Sequence, residues 1–505
     1  MRALRVNKTI SKKLAKRKKK ISKKLKKRNW TEQLQPMFKA SNIHYEFDGR
    51  HQGISHGGIG LIHLLAQKTG LLEEIDKHIE LLKRHLPYHE SDHIANMAYN
   101  ILAGGTCLQD IDLQRNDNAW LTALGAQTIP DPTTAGDFLR RFTEQDVVDF
   151  MEVKNAIRQR VWEMQPANFK KETIINIDGT IAETYGKCKQ GMDISYNGKW
   201  GYAPLLISLA RTREVLYVIN RSGNAPSHLD SAQWIDKTLD LVTNSFKKIF
   251  LRGDTDFSLT SNFDKWDQRC TFIFGMDARE NLVKLAGQIP ESEWQLFEKE
   301  PRKIKTKRRK RPENVKAQVV KRRKFKNLKT QCEHIAEFEY KPGKCNKPYR
   351  MIVLRKTIKV LKGECQLFDD IRYFFYITNE DKQPMEKLIQ FYRNRADHEN
   401  DIEQLKNGVP AMSNPSDSLI SNWAYMAIAS LAWDLKAWYG LLSPYRVLGN
   451  KIVRMEFKRF IHTFIRIPCL IIKTGRRIKY RFIGYNDHLR HIFNLFDRMK
   501  HFAFS

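Results

Sequence analysis

The sequence has no paired-cysteine motif. Its seven cysteines (Cys107, Cys188, Cys270, Cys332, Cys345, Cys365 and Cys469) are scattered, odd in number and never spaced as CxxC. That pattern indicates neither a disulfide framework nor a zinc site, and it fits a reducing cytoplasm. Cys332 and His334 could be half of a metal site, but an isolated pair of this kind is ordinarily structural. Long hydrophobic runs are missing too. No run reaches the ~18 residues a spanning helix needs, and the best candidate, 419–442, is broken by Asn422, Asp434 and Lys436. It reads as a buried helix, so no membrane partner is expected. No apolar stretch follows the basic N-terminus, which argues against a secretory signal. Acidic residues are locally absent: 1–28 contain none, and 302–329 contain only Glu313.

What is present points to a polyanion. Lys+Arg 88 against Asp+Glu 56 gives a formal charge of +32 on 505 residues, a surplus whose simplest use is binding nucleic acid. A hydrophobic share of 41% is enough to bury a core, and a chain of this length suggests roughly two to four domains. Residues 1–50 read as a basic arm that orders only on a polyanion. The pattern over 51–165 is helical, with Asp131-Pro132-Thr133-Thr134 as a helix start and Thr143-x-x-Asp146 as a capping box. A small helical domain of this sort is a candidate DNA-end binder.

At Thr173 the period changes to that of strands. Ile174, Ile175 and Ile177 lead into Asp178-Gly179-Thr180, 203–210 and 215–219 follow as β-type stretches, 228–243 is helical, and 248–252 ends at Gly253-Asp254. The order predicts an α/β sheet with helices on its faces. The stretch 275–379 does not continue that sheet cleanly and reads as an inserted, strand-rich subdomain with a basic loop. Beyond 380 come the apolar helix near 419–439, a basic hairpin turning at Thr474-Gly475, and a last helix over 489–499 in a mostly helical region 441–505.

Asp178 and Asp254 each stand where a hydrophobic strand gives out into a glycine-containing turn, from which carboxylates on neighbouring strands can converge. A few carboxylates with waters and phosphate oxygens suffice for divalent ions on phosphate substrates. Asp is common at turns, and Asp256 and Glu183 compete for these roles. A third element strengthens the pattern. Tyr392, Arg395, Glu399 and Lys406 are spaced three, four and seven apart, and on one continuous helix they fall within a ~60° sector. That face would offer a metal-binding carboxylate flanked by two cations and a phenol for phosphate oxygens. A solvated charged helix is the bland alternative.

The spacing Y-(2)-R-(3)-E-(6)-K resembles the signature of bacterial insertion-sequence DDE transposases that cut and paste through a DNA hairpin. Asn176-Ile177-Asp178-Gly179-Thr180 and Leu251-Arg252-Gly253-Asp254-Thr255-Asp256-Phe257-Ser258 look like that group's two aspartate contexts, although a small residue is more usual at Asp256. The resemblance covers about 50–490. It implies an RNase H-like catalytic core over 166–274 and 380–440, interrupted by the insertion 275–379. It further implies Asp178, Asp254 and Glu399 as catalytic ligands of two Mg2+ ions, with Mn2+ as a substitute. Tyr392, Arg395 and Lys406 would contact DNA, and Trp294 in the insertion would stack an unpaired base or belong to the core. The implied partners are terminal inverted repeats and target DNA, with a homodimer in the DNA complex, and the implied location is the bacterial cytoplasm at the nucleoid. A nuclease or resolvase on the same fold, or a non-catalytic DNA-binding descendant, are the alternatives.

The composition of the arm sets a first test. Phosphate contacts release counterions, so log K should fall against log salt by roughly 0.9 per contact on duplex DNA. Deleting 2–28 should flatten that slope while leaving discrimination between transposon end and random DNA nearly unchanged. A salt series on both DNAs measures this, and an unchanged slope would mark the arm as a solubility tail.

Overall fold

Capping chemistry starts helices where the sequence predicts. The Asp131 carboxylate accepts the Thr134 N–H at 2.9 Å ahead of Pro132–Leu139, and the capping box of Thr143 and Asp146 opens Glu144–Glu163. The computed structural model describes residues 8–26, 40–46, 48–298, 313–363 and 365–502. These form two units, one of Met1–Lys170, Gly179–Ala225 and Asn400–Ser505, the other of Lys171–Asp178 and Pro226–Glu399.

The first unit is mainly helical and is organised around Leu419–Leu441, whose side chains are buried on every face from Ser421 to Gly440. The polar residues that interrupt its apolar run have partners. Asp434 accepts Arg158 at 2.8 Å and the Val215 N–H at 3.0 Å, and Lys154 stands 3.2 Å away. Glu214 accepts the indole N–H groups of Trp162 and Trp438 at 3.0 and 2.8 Å. Buried charges persist only when paired in this way. The same unit holds the hairpin of Leu205–Leu209 and Val215–Ile219, a small sheet of Ala182–Glu183, Trp200–Tyr202 and Asp193–Ile194, and the basic hairpin Cys469–Thr474 with Arg477–Phe482, whose turn uses Gly475 at φ 53°.

The basic arm departs from expectation. Lys8–Lys26 is a helix, with Ile10 and Leu14 half-buried one turn apart and Lys18 paired to Asp487 at 3.0 Å. This part of the arm is therefore helical within the chain itself, with a short apolar stripe at helical spacing and an exposed ion pair to Asp487, where order was expected only on a polyanion. Of the rest of the arm, 1–7, 27–39 and 47 lie outside the described residues.

The second unit is built on one mixed sheet. Glu172–Gly179 pairs in parallel with Lys248–Gly253, which pairs in parallel with Thr271–Met276. The sequence reading passed over Thr271–Met276 as a strand, and that strand joins the insertion to the sheet: Cys365–Thr378 runs antiparallel along it, with Thr378 opposite Ile273. Tyr349–Lys362, Lys326–Tyr340 and Gln295–Leu296 extend the sheet antiparallel beyond it. The insertion therefore continues the sheet, contrary to expectation. The strands are long because β-branched and aromatic residues persist through Lys and Arg positions, whose stems cover the sheet face. The basic block 302–329 is likewise more than a loop: Val315–Arg322 is helical and Lys326 already belongs to a strand, while 302–312 lie outside the described residues. Ile335, Ile352, Leu354 and Tyr376 pack with Leu388 and Ile389 of the helix Met385–Arg393.

His491 in Leu489–Met499 is buried among Tyr439, Phe464 and Tyr445. Burial, reinforced by the charge of His488, lowers its pKa to about 4. A folded-state pKa below the unfolded value means the unfolded chain binds the extra proton. Stability is therefore full above about 6.5 and is lost as pH falls from there toward 4, by on the order of 3 kcal/mol. Thermal unfolding of the protein should soften over that window, and His491→Phe should make the dependence shallower, the remainder coming from His93, whose pKa burial likewise lowers to about 4. An equally steep acid slope in the variant would assign the titration elsewhere.

Candidate active site

Strand register brings the two aspartates together. Asn176 and Arg252 are direct partners on parallel strands, and Asp178 and Asp254 each lie two residues further on. Side chains two apart on a strand share a face, so both carboxylates leave the same end of the sheet on the same side. Gly253 permits the close strand approach, since a Cβ there would sit 2.9 Å from Ile177 Cγ2.

Arg252 then sets the third element. Its guanidinium is buried and donates through Nε to Asn176 Oδ1 at 2.6 Å, through Nη1 to the Phe391 carbonyl at 2.6 Å, and through Nη2 to the Asn394 carbonyl at 3.3 Å. Burial lowers its pKa to about 10, against the pull of Asp397. The carbonyls it captures are those a continuing helix would use. Arg395 N–H instead turns back to Tyr392 O at 2.9 Å, and His398 N–H to Arg395 O at 2.7 Å. The continuous helix expected from the sequence is thereby corrected: Met385–Arg393 ends, Ala396–Glu403 begins, and a π-helical turn follows over Gln404–Gly408. The 60° sector does not survive these breaks. Tyr392 ends one helix, Arg395 stands at the joint, Glu399 lies on the second helix and Lys406 in the π turn.

Around Arg395 the predicted residues do gather. Its Nη1 binds Asp178 Oδ2 at 2.8 Å. Burial opposes its charge, but Asp178, then Tyr392, Asp254 and Glu399, outweigh that and raise its pKa. Burial also pushes the Asp254 carboxyl up, Arg395 opposes the shift and Asp256 adds to it. Asp254 caps the short turn Thr255–Phe257 by accepting the Asp256 N–H at 3.2 Å, while the Asp256 side chain is exposed. The Tyr392 ring packs on Tyr376 at 4.7 Å, and its phenol is pushed up in pKa mainly by burial. Gly275 makes room for it: a Cβ there would meet Tyr392 Oη and Thr255 Oγ1, each at 2.9 Å.

Other predicted residues lie in different surroundings. Lys406 is half-buried near Glu403, Glu183 and Lys199, and burial lowers its pKa. Glu183, weighed above as a competing carboxylate, forms an ion pair with Lys199. Trp294 is buried at 8% exposure, with the Arg355 guanidinium 4.1 Å over its ring and Tyr373 at 6.2 Å, so its face is already covered. Sequence reasoning passed over Tyr185, Tyr196 and Trp200, which are 91%, 94% and 54% exposed. Their signal is Tyr185-Gly-Lys and Tyr196-Asn-Gly-Lys-Trp200, aromatics interleaved with Gly and Lys soon after Asp178.

A family model described as Transposase DDE domain group 1 matches residues 35–502. The chain belongs to the DDE transposases. A search of curated proteins found no match. Among solved structures, a piggyBac transposase in a synaptic complex with hairpin DNA is similar at 12% identity and a TM-score of 0.33, covering 81% of this chain and 84% of that one. Likeness at that level supports neither fold nor function.

DDE transposases cut and join phosphodiester bonds with divalent metal ions. The donors here suit such ions. Three carboxylates supply hard oxygens, and all three favour the one cation of Arg395. Among the described residues their oxygens do not all come within 4.8 Å of one another, and Asp178 is engaged by the Arg395 guanidinium.

Arg252→Gln removes the charge-assisted bonds to Phe391 and Asn394 and should destabilise the protein by roughly 2–4 kcal/mol. Denaturant unfolding should show this, and cleavage should fall more than 10-fold with DNA affinity kept. Wild-type stability and rate in this variant would remove Arg252 as the anchor of the Glu399 helix.

Proposed function

We propose that this DDE transposase cuts the ends of a bacterial insertion sequence and joins them to target DNA, with a hairpin intermediate, using Asp178, Asp254 and Glu399. The observation that carries this reading is the convergence of the three carboxylate charges on Arg395. Asp254 is favoured over Asp256 because it is half-buried and acts on Arg395, whereas the Asp256 side chain is exposed and only its backbone N–H is donated to Asp254. The chain order of strand, hairpin, helix and two further parallel strands fits an RNase H-like core.

The triad would hold two divalent ions, Mg2+ or Mn2+, which supply activation of the attacking oxygen and stabilisation of the leaving one. Arg395 binds and orients a phosphate near the scissile bond by exchanging Asp178 for phosphate oxygens, which match its planar fork. Tyr392 orients a backbone oxygen through its phenol. Lys406 adds a phosphate contact, and the helical segment 51–165 with the basic arm holds transposon ends, two chains acting together on DNA. For an unpaired base, the exposed Tyr185, Tyr196 and Trp200 offer open faces, whereas Trp294 would first have to shed Arg355. Among the described residues no helix is long and apolar enough to cross a membrane, and the proposed setting is the bacterial cytoplasm at the nucleoid.

Asp178→Asn, Asp254→Asn and Glu399→Gln should each lower cleavage of a labelled transposon end by at least 10³-fold with binding nearly intact, because they remove a metal ligand and leave the phosphate contacts in place. Asp256→Asn should retain most activity, and a larger loss there than at Asp254 would reassign the second ligand. Resolving nick, hairpin and joined product on the same substrate separates a transposase from an enzyme that only cuts. Cleavage without a hairpin or joined product would sink the proposal.

A further inference from the structure

The connection between the helices Leu71–His78 and Glu90–Ala103 carries a group of ligand atoms unrelated to the carboxylate site. Glu90 is 2% exposed at the first position of its helix. Its Oε1 accepts the N–H groups of Leu81 and Leu82 at 3.1 and 2.9 Å, which fixes the carboxylate and turns Oε2 toward His85 Nε2, 3.0 Å away. His89 caps the same helix through its backbone, with its N–H donated to Asp92 Oδ2 at 2.9 Å. The His89 imidazole stacks on that of His85, with centroids 4.1 Å apart and planes at 17°. One ligand atom from each of His85, His89 and Glu90 lies within 4.8 Å of the others, and both imidazoles are exposed.

We infer that His85, His89 and Glu90 form a transition-metal site of the zinc class, with its remaining position open to solvent. Two imidazole nitrogens and one carboxylate oxygen are a Zn2+ donor set, and three protein ligands with a free fourth position is a common zinc arrangement. The same set is a poor one for Mg2+, which takes oxygen donors in a near-octahedral shell. A simple His85–Glu90 ion pair accounts for one imidazole and leaves the stacked second one unused. The backbone supports the donors: two amides orient Glu90, and the helix cap fixes the main chain at His89. A bound ion would fasten the 79–89 connection to the start of the following helix, so that binding free energy becomes local stability. This site is independent of the transposase chemistry proposed above.

The test is titration of the full-length protein with Zn2+ by calorimetry in excess Mg2+, which occupies oxygen-only sites, alongside thermal unfolding with and without Zn2+. Wild type should bind one equivalent that His85→Gln and His89→Gln each weaken at least 10-fold, and Zn2+ should raise the wild-type melting temperature but not that of the variants. Both substitutions fall on exposed side chains and spare buried Glu90, so folding should be kept, and circular dichroism checks it. Zinc uptake by exposed cysteines would appear equally in all three proteins. Identical binding and identical melting shifts in wild type and both variants would overturn the site.

Discussion

The guanidinium of Arg252 is the constraint on which the second unit depends. A cation withdrawn from water must find acceptors for its donors, and the three found for Arg252 come from distant parts of the chain: Asn176 on a neighbouring strand and the carbonyls of Phe391 and Asn394. Satisfying the cation therefore joins the first aspartate strand to the second and both to the end of the Met385–Arg393 helix. The same bonds occupy the carbonyls at the point where that helix stops: Phe391 O goes to Arg252, and Asn394 O is shared between Arg252 and the Asp397 N–H. Arg395 is thereby set at a joint and Glu399 on a fresh helical turn. Stability and site geometry have one cause here, a single buried charge being solvated by backbone.

The helical unit uses a related device. Arg158 and Lys154 on Glu144–Glu163 meet Asp434 on Leu419–Leu441, and Glu214, beside the Val215–Ile219 strand, receives Arg158 and two tryptophan N–H groups. Breaking one member of such a network leaves its partner buried and unpaired, a cost of about 3–5 kcal/mol. Replacing the whole set with apolar residues could cost nothing. What the network supplies is register: it permits one pairing between helices that are otherwise apolar on many sides.

Local signals in the sequence carried much of this. Caps at Asp131 and Thr143, the strand-to-glycine contexts of Asp178 and Asp254, the turn at Gly475 and the final helix are all written in short windows. The features that could not be read depend on contacts between distant residues. No 100° periodicity reveals that Arg252 will take the carbonyls of Phe391 and Asn394, so one helix was expected where there are two and a π turn. Thr271–Met276 contains a Gly at 275 that lowers its strand signal, yet that Gly is what admits Tyr392, and without the strand the insertion looked separate from the sheet. Trp294 looked available because its cover, Arg355, lies 61 positions away in the chain. Of the four residues in the pattern, Tyr392 and Glu399 act on Arg395, while Lys406 lies near Glu403 and Glu183.

The charge balance at Arg395 connects structure with chemistry. Three carboxylates favour its charge, Asp178 by direct contact and Asp254 and Glu399 through their fields, and although Arg252 is a second cation nearby, Asp256 and Asp397 keep the anions in excess. At an effective dielectric of 20, two unit charges 4 Å apart interact by about 4 kcal/mol, and a partly buried cluster with this imbalance attracts further positive charge. Burial already pushes the Asp254 carboxyl toward its neutral form, with Arg395 opposing the shift and Asp256 adding to it. On the proposed reading, a phosphodiester draws Arg395 away with oxygens that match its fork, and the Asp178 oxygen so released becomes a hard donor of the kind divalent ions take. Phosphate binding and metal binding then reinforce one another through one side chain. The joint at Arg395, with its turned-back backbone bonds on either side, places that side chain between two helices and outside the interior of either.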